Sequence, residues 1–374
     1  MMTGSVVSGE QPSASNVGEP RTEVAPVRTG EDLDWAALEA YLRMHLDDVD
    51  GEFSVLQFPR GSANLTYRVG FGDRLLVVRR PPFGQLARGA HDMTREYRVL
   101  SRLHREYDRA PRALLHCADE SVVGAEFFVS EYRDGVVVWD SVPESMSGVD
   151  DAGRRIGYAV IDALADLHAV DPAACDLAGL GRPEGYLERQ VHGWLARWDA
   201  VAEYAPAETA ALVAEVTRRI RAAIPASQRA GIVHNDYKVD NCQFPHGHPD
   251  RVKSVFDWDM ATTGDVLVDL GTLLNYWPDR TVDPESDAAF IVVPGMHGLD
   301  LPSRAEVVER YAAGSDLDLS NIDWYEAFGC WKTVVILQQL YARFVRGETT
   351  DARMGQRGEF VAPLARRALS LLPA

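Results

Sequence analysis

The sequence predicts an α+β fold in two lobes, β-rich at the N-terminal side and mainly helical after it. Three observations point there. Short runs of β-forming residues crowd the stretch before Gly135, at 53–58, 66–69, 74–79, 113–117 and 125–132. Helical periodicity dominates afterwards, over 151–169, 184–204, 207–223, 303–313, 322–346 and 357–372. The exceptions in that second region are two short apolar runs, Gly231-Ile232-Val233 and Val255-Phe256, each ending in a loop that carries acidic residues.

Taken in order, residues 1–30 are rich in Ser, Gly, Pro, Glu and Val without periodicity and are expected to be a disordered tail. Trp35, Leu38, Leu42 and Leu46 fall at helical spacing behind the capping candidates Asp32 and Asp34. Gly70-Phe71-Gly72-Asp73 supplies a hairpin turn between the second and third strands, and Pro81-Pro82 stops the third. Met93, Tyr97, Leu100 and Leu103 line one face of a helix over about 91–107. The expected organisation is a tail at 1–30, an N-lobe at 31–134 and a helical C-lobe at 135–374.

Composition narrows the function. With 374 residues, 46% hydrophobic and 25% charged, the chain has the balance of a globular protein. A net charge of −18 disfavours nucleic acid or an anionic membrane as the main partner. No apolar run reaches membrane-spanning length, and the N-terminus lacks a basic start followed by an apolar stretch, so a cytoplasmic location is expected. The four cysteines are widely spaced and read as buried thiols. Only three of the 38 basic residues are lysines: Lys238, Lys253 and Lys332.

The most informative stretch is His234-Asn235-Asp236-Tyr237-Lys238-Val239-Asp240-Asn241, followed by Asp257 in Val255-Phe256-Asp257-Trp258-Asp259. Phosphoryl transfer needs a carboxylate to orient a hydroxyl group, and an amide oxygen with a second carboxylate to hold Mg²⁺ on ATP. Asp236 is the candidate catalytic base, and Asn241 and Asp257 are candidate Mg²⁺ ligands. His234 is expected to hold the loop by hydrogen bonds. Asp259 is either a further ligand or a substrate contact. Asp265 fits a helix N-cap, and Asp269 is placed to brace the loop from behind.

These residues, with the run Gly264-Asp265-Val266-Leu267-Val268-Asp269-Leu270, resemble the aminoglycoside phosphotransferase family, small-molecule kinases with a protein-kinase-like fold. The resemblance covers about 31–346. It implies a phosphate-covering turn at 59–66, where Ser62 and Asn64 would approach phosphate, although no G-x-G-x-x-G is present. It also implies a cation on the third strand paired to a glutamate on the next helix. No lysine precedes Lys238, so Arg79 takes that role with Glu96 as partner. Strand parity turns Arg79 and Arg80 to opposite faces, and Arg79 is assigned to the cleft. Glu131 and Tyr132 fall at the hinge that would meet adenine through backbone groups. Trp194 and Trp198, four residues apart on one helix, read first as helix packing; the resemblance places this segment beside the family's acceptor site, where an exposed aromatic would line the pocket.

The function expected is Mg²⁺- and ATP-dependent phosphorylation of a hydroxylated small-molecule acceptor. The rival is a nucleotide-binding protein with a degenerate kinase fold and no catalysis. The absent glycine loop and third-strand lysine favour the rival, and the complete Asp236, Asn241, Asp257 set opposes it.

Overall fold

The computed structural model describes residues 23–59, 64–84, 92–278 and 296–373. The first helix, α1 (Trp35–His45), starts where Asp34 accepts a hydrogen bond from the Ala37 N–H at 2.9 Å. Five strands follow: β1 (Phe53–Gln57), β2 (Leu65–Phe71), β3 (Arg74–Arg80), β4 (Ala113–Cys117) and β5 (Phe127–Glu131). They form an antiparallel sheet in the order β1-β2-β3-β5-β4. Helix α2 (Met93–Leu103), capped by Asp92, lies between β3 and β4 in the chain and packs on β4 and β5. In the central strand, β3, Arg79 pairs with Thr66 of β2 on one side and Phe128 of β5 on the other.

The alternation of β3 settles its two arginines. Arg80 is buried on the face turned from the cleft, where Nη1 donates to the Val123 carbonyl at 2.9 Å and the guanidinium covers the Phe83 ring at 4.2 Å. Arg79 occupies the other face, toward α2.

After β6 (Val136–Val137) the chain is mainly helical: α3 (Ala152–Ala169), α4 (Tyr186–Asp199), α5 (Ala207–Ala222), α6 (Leu267–Tyr276), α7 (Arg304–Ala313), α8 (Ile322–Val345), α9 (Ala352–Gln356) and α10 (Val361–Ser370). Two small sheets interrupt it. β7 (Ala230–Val233) pairs with β10 (Thr262–Asp265), and β8 (Cys242–Phe244) joins β6 to β9 (Ser254–Val255). The loop 234–241 leaves β7 and enters β8, and Asp257 follows β9, so the two acidic motifs are held by neighbouring hairpins. All four cysteines are buried and free. Among the described residues, no helix is long and apolar enough to cross a membrane.

The tail is shorter than its composition suggested. Ala25 and Gln57 exchange both backbone hydrogen bonds at 2.8 Å, and the Arg28 N–H donates to the Gln57 side chain. The edge of β1 has unpaired backbone groups, and this segment satisfies them. Residues 1–22 lie outside the described residues.

Helix α6 has no polar face for a periodicity reading to catch: nine of its ten residues are buried. It lies against α8 backbone to backbone. A Cβ on Gly271 would fall 2.3 Å from the Tyr325 carbonyl oxygen, and one on Gly329 would fall 2.8 Å from the Gly271 oxygen. Asn275 Nδ2 donates to Thr333 Oγ1 at 2.9 Å across the same contact. Since α6 carries Asp269, this close crossing positions that carboxylate. Gly271→Ala is expected to force the helices apart and cost about 1–3 kcal/mol, measured as a lower midpoint in urea unfolding; an unchanged midpoint would refute this role for the crossing.

Candidate active site

A cavity of about 990 Å³ lies between the five-stranded sheet and the helical region. Val77, Phe128 and Val136 give it apolar walls near residues 130–133, and Arg79, Glu96, Asn241 and Asp257 line it as well. An apolar slot joined to a charged end suits a nucleotide, whose base is flat and whose phosphates are anionic.

The loop 234–241 is fixed by its backbone. The Asp269 carboxylate accepts from two consecutive N–H groups, His234 to Oδ2 at 2.6 Å and Asn235 to Oδ1 at 2.7 Å. His168 backs Asp269 with Nε2 3.5 Å from Oδ2, and its Nδ1 meets the Tyr311 hydroxyl at 2.7 Å. His234 Nε2 donates to the Phe256 carbonyl at 2.9 Å, and its Nδ1 accepts from the Asp236 N–H at 3.3 Å. That pair of bonds defines one neutral tautomer and ties the Asp236 loop to the Asp257 loop. Asp265, expected as the N-cap, lies one residue ahead of the α6 N-cap Val266; its side chain accepts from the Leu267 N–H at 3.0 Å and from the Tyr325 hydroxyl at 2.9 Å.

Asn235 and Asp257 both adopt left-handed backbone conformations, with φ of 68° and 69°. Such residues cost about 1 kcal/mol or more and persist where the surroundings over-determine them. At Asn235 the side chain accepts from the Tyr186 hydroxyl at 3.1 Å and donates to the Met260 carbonyl at 2.9 Å. Its backbone carbonyl accepts from Lys332 Nζ at 2.5 Å.

Asp236 follows directly. Its Oδ2 lies 3.0 Å from Lys238 Nζ, which also lies 3.9 Å from Asp240 and over the Tyr276 ring. Burial alone would lower the Lys238 pKa, but Asp236 and Asp240 outweigh it and hold the ammonium well above its usual range. Asn241 Nδ2 donates to the Asp236 carbonyl at 2.8 Å, which leaves Oδ1 as its acceptor for a ligand.

On the sheet side Arg79 Nε is 2.9 Å from Glu96 Oε2, and Nη2 bonds Asp257 Oδ1. Burial would raise the Asp257 pKa, yet Arg79, with Lys238, keeps it below the ordinary value. Burial, then Asp257, pushes Asp259 up to about 6, and Asn64 hydrogen-bonds its side chain. Burial pushes Glu96 up to about 8; Arg79 opposes this, while Asp257 and Asp259 add to it. Three carboxylates thus lie near one guanidinium; burial, with their mutual repulsion added to it, raises two of them. A divalent cation beside Asp257 and Asn241 would relieve that excess, so the residues fit Mg²⁺. Among the described residues, no group of three or more His, Cys, Asp or Glu side chains could hold a metal by itself. The Asn241–Asp257 pair fits an ion whose shell is completed by phosphate oxygens and water.

Several sequence expectations need correction. Trp194 and Trp198 are both buried, 5% exposed, and are packing residues. Their helix α4 turns that face onto α8, where Lys332 Nζ sits 5.7 Å from the Trp194 ring centre. Glu131 lines the cavity; its carboxylate accepts from the Arg112 N–H at 3.0 Å and pairs with Arg133, and its own N–H donates to the Arg112 carbonyl. Tyr132 lines the cavity beneath Arg68. Ser62 lies outside the described residues. Lys238 and Lys332 were not singled out as site residues. Lysine scarcity marked both, and a lone lysine in the apolar run 327–335 is a buried-charge signal in its own right.

Comparison with known proteins agrees with this geometry. Residues 54–306, more than half of the chain, match the model of the phosphotransferase enzyme family. The acyl-CoA dehydrogenase family member 11 of Gallus gallus is 31% identical over 362 residues, spanning 94% of this chain and 45% of that protein. The family member 10 of Mus musculus is 30% identical over 367 residues, with 94% and 32% covered. The chain thus spans less than half the length of these relatives. A crystal structure from Ralstonia eutropha JMP134, provisionally named an aminoglycoside phosphotransferase, superposes with a TM-score of 0.75 at 28% identity, covering 91% of this chain and 98% of that one. Aminoglycoside phosphotransferase APH(4)-Ia, in a ternary complex with AMP-PNP and hygromycin B, superposes with a TM-score of 0.56 at 16% identity, covering 90% and 97%, and shares the fold.

Asp269→Asn replaces one of two acceptor oxygens by an N–H donor facing another donor. It is expected to destabilise the fold by about 1–3 kcal/mol, read from guanidinium unfolding; a change within error would show that the loop does not depend on this carboxylate.

Proposed function

We propose that this chain, which belongs to the phosphotransferase enzyme family, moves the γ-phosphoryl group of ATP to a hydroxyl group of a small molecule. The observation that carries the reading is the convergence of Asn241, Asp257 and the Arg79–Glu96 pair on one cavity that also has apolar walls, with Asp236 tied to Asn241 by the hydrogen bond from Asn241 Nδ2 to its carbonyl. The fold is that of the kinase-like phosphotransferases.

In this reading the apolar slot takes the base, with Tyr132 at the connector. Arg79, held by Glu96, donates to the phosphates; a guanidinium suits this task because its fork can bind two phosphate oxygens. Asn241 Oδ1 and an Asp257 oxygen hold Mg²⁺, which neutralises charge on the transferred group when bound. Asp259, hydrogen-bonded by Asn64, adds negative charge near that site. Asp236 accepts the proton of the acceptor hydroxyl as its oxygen bonds to the γ-phosphorus and the bond to the ADP oxygen breaks. Lys238, 3.0 Å from the same carboxylate, fixes its position before the hydroxyl arrives. Catalysis then rests on positioning and charge, with little reorganisation.

The acceptor class follows from chemistry that the comparisons bring into view. One neighbour of the same fold is described with hygromycin B, and the relatives are named for acyl-CoA oxidation. A panel of hygromycin B, a macrolide and hydroxylated acyl-CoA thioesters spans a cationic, a lipophilic and an anionic acceptor.

Two measurements test the reading. ADP release across that panel should be saturable with one acceptor and should fall about 10²–10⁴-fold in Asp236→Asn, with ATP affinity retained; ATP binding by the parent protein with no turnover on any acceptor would favour the non-catalytic rival. In calorimetry, Asp257→Ala should remove the Mg²⁺-dependent part of ATP binding. Equal Mg²⁺ dependence in this variant and the parent would dismiss Asp257 as a ligand.

A further inference from the structure

Lys332 is a buried base that the proposed reaction does not use. It lies on α8, is 5% exposed, and has aromatic and apolar neighbours along its helix. Burying an ammonium among such groups is costly unless something compensates. A methionine would fill the space without that cost. Its hydrogen bond goes to one neutral group, the Asn235 carbonyl at 2.5 Å, and the Trp194 ring covers Nζ from the other side at 5.7 Å.

The place of that carbonyl gives the lysine its meaning. Asn235 directly precedes Asp236 and is held at φ 68°. Asp269 fixes the Asn235 N–H, and Tyr186 and Met260 fix its side chain. Without Lys332 the only hydrogen bond left on the peptide joining Asn235 to Asp236 is the 3.3 Å one from its N–H to His234 Nδ1. A peptide flip there, which a left-handed residue readily permits, would swing the Asp236 side chain. Burial lowers the pKa of Lys332, while Asp236 and then Asp269 act to raise it, which places both carboxylates in its electrostatic neighbourhood.

We propose that Lys332 is a positioning residue, which locks the Asn235–Asp236 peptide from beneath and so fixes the direction of the Asp236 carboxylate. The proposal rests on the phosphotransferase reading for its consequence in turnover, and on geometry alone for its consequence in the loop.

The test compares the parent with Lys332→Met, which keeps the volume, and Lys332→Gln, which keeps one donor. ADP release is measured from Mg·ATP with water and with the acceptor panel. Calorimetry gives ATP affinity, and hydrogen exchange of the nucleotide-free proteins reads the segment 234–241. In Lys332→Met we expect kcat to fall about 100-fold, ATP affinity to stay within about twofold of the parent, and exchange in 234–241 to quicken. Lys332→Gln should fall between Met and the parent. A folded Lys332→Met with parental kcat, or with unchanged exchange in 234–241, overturns the proposal. So does a fall in kcat matched by an equal loss of ATP affinity. If neither variant folds, Lys332 is a folding residue and the assignment fails. A parent that releases no ADP on any acceptor or water refutes the phosphotransferase reading itself, and the exchange experiment then still decides the contact.

Discussion

Two consecutive backbone N–H groups converging on the Asp269 carboxylate are the constraint from which the rest of the site follows. A loop that must present a carboxylate, an amide and a lysine to one cleft cannot satisfy its own backbone as a helix or strand would. Its donors need an acceptor from elsewhere, and a buried carboxylate offers enough lone pairs to take both. Asp269 can occupy that place because α6 and α8 meet at Gly271 and Gly329, and because His168 and Tyr311 close the network behind it. Core packing and loop geometry are therefore one problem: the glycine crossing sets the carboxylate, and the carboxylate sets Asn235 and Asp236.

The second organising feature is an imbalance of charge. Arg79 pairs with Glu96 and Asp257, and Asp259 adds a third carboxylate nearby; burial, with repulsion among the three, raises the Glu96 and Asp259 carboxyls. In a protein that only needed stability, apolar residues would serve as well. A site that receives a divalent cation together with four phosphate charges has reason to hold negative and positive groups apart, ready for both. Asn235 and Asp257, the two strained residues of the cleft, sit on either side of this field and are tied together through His234.

The sequence pointed to residues that the fold brings together, and to only part of what supports them. Asp236, Asn241 and Asp257 were readable because their spacing is local, and Arg79 and Glu96 because strand parity and order along the chain limit the choices. The bracing role of Asp269 and the loop-holding role of His234 were also expected, and the contacts agree with both. What escaped depends on distant partners. Whether Trp194 and Trp198 face a cavity or a helix is decided by how α4 docks on α8, which periodicity does not encode. The Glu131 carboxylate is held by Arg112 and Arg133, and Ala25 is drawn in by the edge of β1. Lys332 stands about a hundred residues from the loop that it touches, and only its oddity in an apolar helix hinted at a task.

The account's central claim is that Asn241 and Asp257 together bind the cation that carries ATP, next to Asp236. A crystal structure of the protein with AMP-PNP and Mn²⁺, using the anomalous signal of manganese, tests it most directly. The account predicts one anomalous peak about 2.1 Å from both Asn241 Oδ1 and an Asp257 carboxylate oxygen, with the γ-phosphate facing Asp236. A manganese peak held by other residues, or a nucleotide bound outside this cavity, would contradict it.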